Sequence, residues 1–210
     1  MATPGELAKV AAAVLGLPEV QVLSTHRALR QADLVSKHGR GLAAAKMTPT
    51  DAAMLLVALL GSNQIVNSAA TIRRYEKATP FHESTKTLFE HVRIPALANL
   101  PADHSFLNAL TALIAASTDG TLLAGLHQMY PWNAIEVTVQ SPPTIADIRI
   151  LGPERGTSAS IRYSASGAIE RSGDLDEYRR VSAKTIIYLG AALAGKLDEL
   201  PAPGPEGPRP

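Results

Sequence analysis

Arg27 and Arg30 share one short stretch with Gln21, Ser24 and Gln31, and side chains of these types can read and grip DNA. An Arg guanidinium bonds guanine O6 and N7 together, a Gln amide pairs with adenine N6 and N7, and Ser and Arg also hold phosphate oxygens. If Val22 and Leu29 face a core, helical spacing turns Gln21, Ser24, Arg27 and Gln31 to the opposite side, with Arg30 at the flank. A second cationic group follows: Lys37, His38 and Arg40, with Lys46 a few residues on. His38-Gly39-Arg40-Gly41 are turn residues, so these cations would crown a hairpin tip suited to the DNA backbone or minor groove. The expected chemistry is recognition of double-stranded DNA by Gln21, Ser24, Arg27, Arg30, Lys37, His38, Arg40 and Lys46. The alternative is a protein–protein interaction module in which these residues form only a solvated helix face and a surface turn.

Other chemistries find less support. The chain has no cysteine, which excludes disulfides, thiolate metal sites and cysteine nucleophiles. Gly39-Arg40-Gly41-Leu42-Ala43-Ala44 fits the dinucleotide pattern G-x-G-x-x-A, but a new helix start at Thr48-Pro49 comes too soon for the long helix that pattern needs. Gly190 to Lys196 mimics the opening of a phosphate-binding loop, yet Leu197 stands where a Mg²⁺-binding hydroxyl is required. The six histidines, His26, His38, His82, His91, His104 and His127, form no paired ligand motif, and no Gly-x-Ser-x-Gly elbow accompanies them. Asp174, Asp176 and Glu177 read as the cap of a helix, Arg179-Arg180 with Lys184 as its solvated face, and Trp132 as a hydrophobic anchor. The expectation is therefore no enzyme, no cofactor and no metal.

These residues need elements to position them. Thr3-Pro4-Gly5-Glu6 has the form of a capped helix start, and that helix should stop at Gly16. Pro18 opens a second helix with Val22, Leu29 and Ala32 along one face, fading near Asp33. Val35–Lys37 and Ala44–Met47 would be the two strands of the basic hairpin. Thr48-Pro49-Thr50-Asp51 repeats the capping pattern ahead of an apolar helix to about Leu60. A helix over Asn63–Lys77 would use Ile65, Val66, Ala69, Ile72 and Tyr75 as its apolar set. Ala78–Ala102 contains Pro80, Pro95 and Pro101 and reads as a connector, with a short helix around Thr85–Val92. Two more helices are expected over Asp103–Ser117 and Thr121–Met129. The period then changes to two at Ile135, Val137 and Val139, at Ile148 and Ile150, and at Ile161 and Tyr163, as in a small antiparallel meander. A last helix should run from about Leu175 to Leu197, before a Pro/Gly-rich tail.

The Ala12…Gly16…Val22 spacing resembles the general bacterial helix-turn-helix pattern, in which a small residue lets two helices cross and glycine turns the chain between them. One part of the winged version is missing: no helix precedes these two, so Pro49–Leu60 or a partner subunit must complete the core. The run VSKHGRGLAAAKMTPTDAAMLL resembles small proteins encoded in prophage-like or mobile regions of proteobacteria, over about the first third of the chain. That resemblance implies a phage-type transcriptional regulator or a DNA-recognition protein such as a small terminase subunit.

The fold class expected is α+β: mainly α with a small antiparallel meander, headed by a winged helix-turn-helix. Residues 1–77 would form the DNA-binding domain, 78–102 a connector, 103–199 an α+β domain for oligomerisation, sensing or partner binding, and 200–210 a disordered tail. With 4% aromatic residues, Ala, Leu, Ile and Val must fill the core. The net charge of +1 divides into 11 Lys and Arg against 7 Asp and Glu up to Arg93, and 9 against 12 beyond it. That mild asymmetry fits a DNA-binding head with a different tail. The apolar runs are too short for a bilayer and no secretory signal opens the chain, so a cytoplasmic protein with no membrane partner is expected. Its partners would be double-stranded DNA, a second copy in a homo-oligomer, and transcription machinery or another protein.

Overall fold

The computed structural model describes residues 2–36, 46–81, 94–126, 135–141, 144–151, 158–165 and 177–201. Helix α1 (Pro4–Leu15) starts as its sequence dictates. The Thr3 hydroxyl accepts the Glu6 amide, and the Glu6 carboxylate accepts the Thr3 amide at 2.7 Å. Those bonds, the backbone one foremost, hold the Glu6 carboxyl below its ordinary pKa. Gly16 ends α1 in the left-handed conformation, φ 66°, and α2 (Glu19–Gln31) follows from Pro18. Helix α3 (Pro49–Gly61) repeats the capping box through Thr48 and Asp51. A 3-10 turn at Ile65–Asn67 leads into α4 (Ser68–Tyr75).

Strand β1 (Ala78–Pro80) and the short α5 (Pro95–Ala98) come next. Then come α6 (Phe106–Thr118), capped by Ser105, and α7 (Thr121–Leu126). Strands β2 (Ile135–Ser141), β3 (Ile145–Leu151), β4 (Ser158–Ala165) and β5 (Glu177–Ser182) precede α8 (Ala183–Ala194). The five strands form one antiparallel sheet in the order β1-β4-β3-β2-β5.

Side-chain alternation decides the faces of that sheet. Ile135, Val137, Val139, Ala146, Ile148, Ile150, Ile161, Tyr163 and Val181 are buried on the helix side. The opposite face carries cross-strand ion pairs, Arg162 with Asp147 directly opposite and Arg180 with Glu136 on the diagonal, each at 2.9 Å. The architecture is therefore two layers, helices on one face of an antiparallel sheet. Helix α3 is central, with ten of its thirteen residues buried. It packs on α2, α4, α6 and β2, and α8 packs on both α1 and α6. One apolar cluster runs from Ala2 through Leu56, Phe106 and Ile148 to Leu193.

The structure corrects several sequence expectations. Glu177–Ser182 is an edge strand and not the start of the last helix, because Val181 faces the core opposite Val137 while Arg179 and Arg180 point to opposite sides. Glu177 therefore caps no helix; its carboxylate bonds Asn63 and lies 3.9 Å from Arg179. The connector contributes Ala78–Pro80 to the sheet, where Pro80 is tolerated because the strand lies at the edge. Ile65 and Val66 are exposed, since α4 begins only at Ser68 and buries Thr71, Ile72 and Tyr75. The described parts of the expected hairpin strands, Val35–Ser36 and Lys46–Met47, form no strand; the Met47 amide bonds the Ala2 carbonyl instead. The Thr85–Val92 helix, Trp132, Asp174, Asp176 and the tail from Ala202 lie outside the described residues.

The glycine run near the C-terminus is a packing device. Gly190 lies within α8, and a Cβ there would collide with the Ser117 side chain of α6. Gly190→Val is expected to destabilise the protein by about 1–3 kcal/mol through overpacking. Gly5→Ala, with open space around it, should be stabilising by about 0.5–1 kcal/mol through helix propensity. Urea unfolding of both variants checks the contrast.

Candidate nucleic-acid interface

The α1–turn–α2 unit begins with close helix crossing. Ala8, Ala11 and Ala12 of α1 are buried, as are Val22, Thr25, His26 and Leu29 of α2. The Gly16 and Leu17 amides both return to Ala12 O, so the turn satisfies the end of α1 without a long loop. The turn is braced on two sides, α3 against α2 and α8 against α1. The α1–α2 pair is thus covered by helices from later in the chain.

With that face inward, Glu19, Val20, Arg27, Arg30 and Gln31 point outward. Gln21 and Ser24 are half-buried at the flank. Lys46 is exposed and lies next to Met47, whose amide ties it to the start of α1. Lys37, His38 and Arg40 lie outside the described residues. Four of the expected contacts, Gln21, Ser24, Arg27 and Arg30, therefore belong to one helix, with the two arginines fully outward.

Asp51 fixes where α2 ends. Its carboxylate accepts bonds from the Ser36 amide (2.9 Å) and hydroxyl (3.0 Å) and from the Thr48 amide and hydroxyl (both 2.8 Å). A buried charge with four donors is satisfied, and here it ties the chain leaving α2 to the head of α3. Asp33 turns that exit with φ 61°, and the Leu34 amide bonds Leu29 O at 3.0 Å. Sequence reasoning treated Asp51 only as a local cap. The contact with Ser36, fifteen residues back, has no local signal.

His26 sits beside this hub, 4% exposed, with Nε2 lacking a hydrogen-bond partner. Burial lowers its pKa from the ordinary 6.5, Asp51 opposes that shift and Arg30 adds to it. The second buried histidine is fully engaged: His104 donates from Nδ1 to Pro101 O at 2.5 Å, and its Nε2 accepts from the Tyr163 hydroxyl at 2.9 Å. Tyr163 and Tyr75 flank Phe106 in the core, and burial raises both phenol pKa values. The Tyr75 hydroxyl donates to Gln140 O. These groups are satisfied structural contacts.

Further cations stand near α2. Helix α4 packs beside it, and Arg73, Arg74 and Lys77 at the end of α4 are exposed. Among the described residues, no carboxylate pairs with Arg27, Arg30, Arg73, Arg74 or Lys77; on the sheet Arg162, Arg179 and Arg180 each have one and the exposed Arg149 has none. No described group of three or more His, Asp and Glu is placed to hold a metal, and no described helix is long and apolar enough to cross a membrane.

No protein family, curated protein or solved structure matches the chain.

His26 makes stability depend on pH. Its native pKa lies below the unfolded value, so the unfolded chain binds the extra proton first as pH falls. Stability from this group is present above about pH 6.5 and declines below it towards the lowered native pKa. His26→Leu should remove that component. Denaturant unfolding at pH 7.5 and 5.5 should show a smaller loss in the variant than in the wild type, and equal losses would contradict the assignment.

Proposed function

We propose that this protein binds double-stranded DNA through α2, as a regulator of phage or mobile-element type. The observation that carries the reading is the outward pair Arg27 and Arg30, unpaired by any described carboxylate, on the second helix of a glycine-turned helix pair. A helix enters the major groove with such side chains directed at base edges. Arg27 and Arg30 would contact bases, Gln21 and Ser24 would hold the groove wall, and Lys46 with Lys37, His38 and Arg40 would hold flanking phosphates. Val20, 74% exposed near the start of α2, adds an apolar contact suited to a thymine methyl. The resemblance of residues 35–56 to phage-encoded proteins supports the regulatory context, with a packaging subunit of small-terminase kind as its variant.

A protein partner on the same face is the second reading. It is favoured by Val20 together with Ile65 and Val66, the last 81% exposed, in the 3-10 turn that packs beside α2.

Fluorescence anisotropy with a random-sequence duplex of about 25 base pairs at low salt separates the two. Binding at micromolar protein is expected. Arg27→Ala combined with Arg30→Ala should weaken it about tenfold or more, since a bidentate Arg–guanine contact is worth about 1–3 kcal/mol. Absence of binding, or a double variant that binds like the wild type, would overturn the DNA reading. Protein partners that survive nuclease treatment and depend on Val66 would support the second.

A further inference from the structure

We infer that Arg73 and Arg74 of α4, with Lys77 just beyond its end, form a second anchoring point, gripping the phosphate strand beside the groove that α2 enters. This rests on the DNA reading above and adds three residues and a role to it. The first support is position. Helix α4 packs against α2, and the 3-10 turn ahead of it does the same. Packed helices lie about 8–10 Å apart, axis to axis, while the major groove is about 12 Å wide. A helix packed beside the one in the groove therefore overlies the bordering backbone, within reach of an Arg or Lys side chain.

The second support is charge. Arg73, Arg74 and Lys77 are exposed, and no described carboxylate pairs with them. The Arg74 guanidinium makes one bond within its own helix, donating to the Thr71 hydroxyl at 3.1 Å, which leaves its other donors outward. The acids on these elements are few: Glu19 at the start of α2, Asp33 beyond its end, and Glu76 between Arg74 and Lys77. On the outer face of the sheet Arg162 and Arg180 pair with Asp147 and Glu136, and Arg149 stands there without a described ion pair. Arg27, Arg30, Arg73, Arg74 and Lys77 thus put five cations without a described ion pair on or next to two packed helices. The third support is rigidity. Thr71, Ile72 and Tyr75 are buried, and the first and last pack against Gly61 at the end of α3, so the cations stand on a fixed base.

Phosphate contacts differ from base contacts in one measurable way. Each phosphate neutralised releases counterions and adds about −0.9 to the slope of log K against log salt. The experiment measures anisotropy of the same 25-base-pair duplex from about 50 to 300 mM salt. Arg73→Ala/Arg74→Ala/Lys77→Ala should flatten the slope by about 2–3 and weaken binding equally for unrelated sequences. Arg73→Lys/Arg74→Lys should keep the wild-type slope, which separates charge from a loss of fold. Wild-type binding with an unchanged slope in the triple-alanine variant would overturn this inference and leave the α2 reading standing. A wild-type protein that binds no duplex at low salt would overturn both.

Discussion

Burial of α3 on every side is the constraint on which the rest of this structure depends. A helix of mostly apolar residues must be enclosed, and here α2, α4, α6 and the sheet enclose it. Both of its ends are tied by charged side chains, one its own and one from a distant part of the chain. At the N-terminal end Asp51 collects the Ser36 and Thr48 donors and sets the exit of α2. At the C-terminal end Arg179 of β5 donates to Leu59 O and Ser62 O, carbonyls left over where the helix stops. The same helix thus fixes α2 on one side and the sheet edge on the other.

That arrangement explains how the α1–α2 helix pair is held together. The Gly16 turn brings α1 and α2 into contact, but two short helices bury too little surface to stand alone. Helix α8, the last described α-helix, covers α1, and α3 covers α2. The boundaries expected at residues 77 and 102 are crossed by this packing and by β1, which joins residues 78–80 to the sheet. The outward face of α2 is presented by the whole molecule, a rigid base for contacts that need fixed geometry.

Electrostatics divides the surface along the same lines. On the open face of the sheet, Arg162 meets Asp147 and Arg180 meets Glu136 across neighbouring strands, so these charges largely cancel. On α2 and α4 the cations have no described anionic partner, and their field is available to a polyanion. His26 and His104, both buried, show how local packing separates chemically identical groups. His104 uses both ring nitrogens in bonds, while His26 has an unpartnered Nε2 and is held towards its neutral form by burial.

Short-range physics was legible in the sequence. The capping boxes at Thr3 and Thr48, the Gly16 stop, the outward placement of Arg27 and Gln31 and the inward alternation of Ile135, Val137 and Val139 depend on residues within a turn or a strand of one another, and the structure shows them so, whereas Gln21 and Ser24, expected on the same outward face, are half-buried. Glu177–Ser182 was misread because its charges cap a helix as plausibly as they flank an edge strand, and only pairing with β2 decides between them. Asp51 reaching Ser36, Gly190 meeting Ser117, and α4 bringing Arg73, Arg74 and Lys77 next to α2 join residues far apart in the chain or in different elements. The sequence alone determined which faces are apolar and which helices start and stop where they do, because those are local free energies. Which faces meet was decided by the tertiary structure, because enclosing α3 is a demand that the whole chain satisfies together.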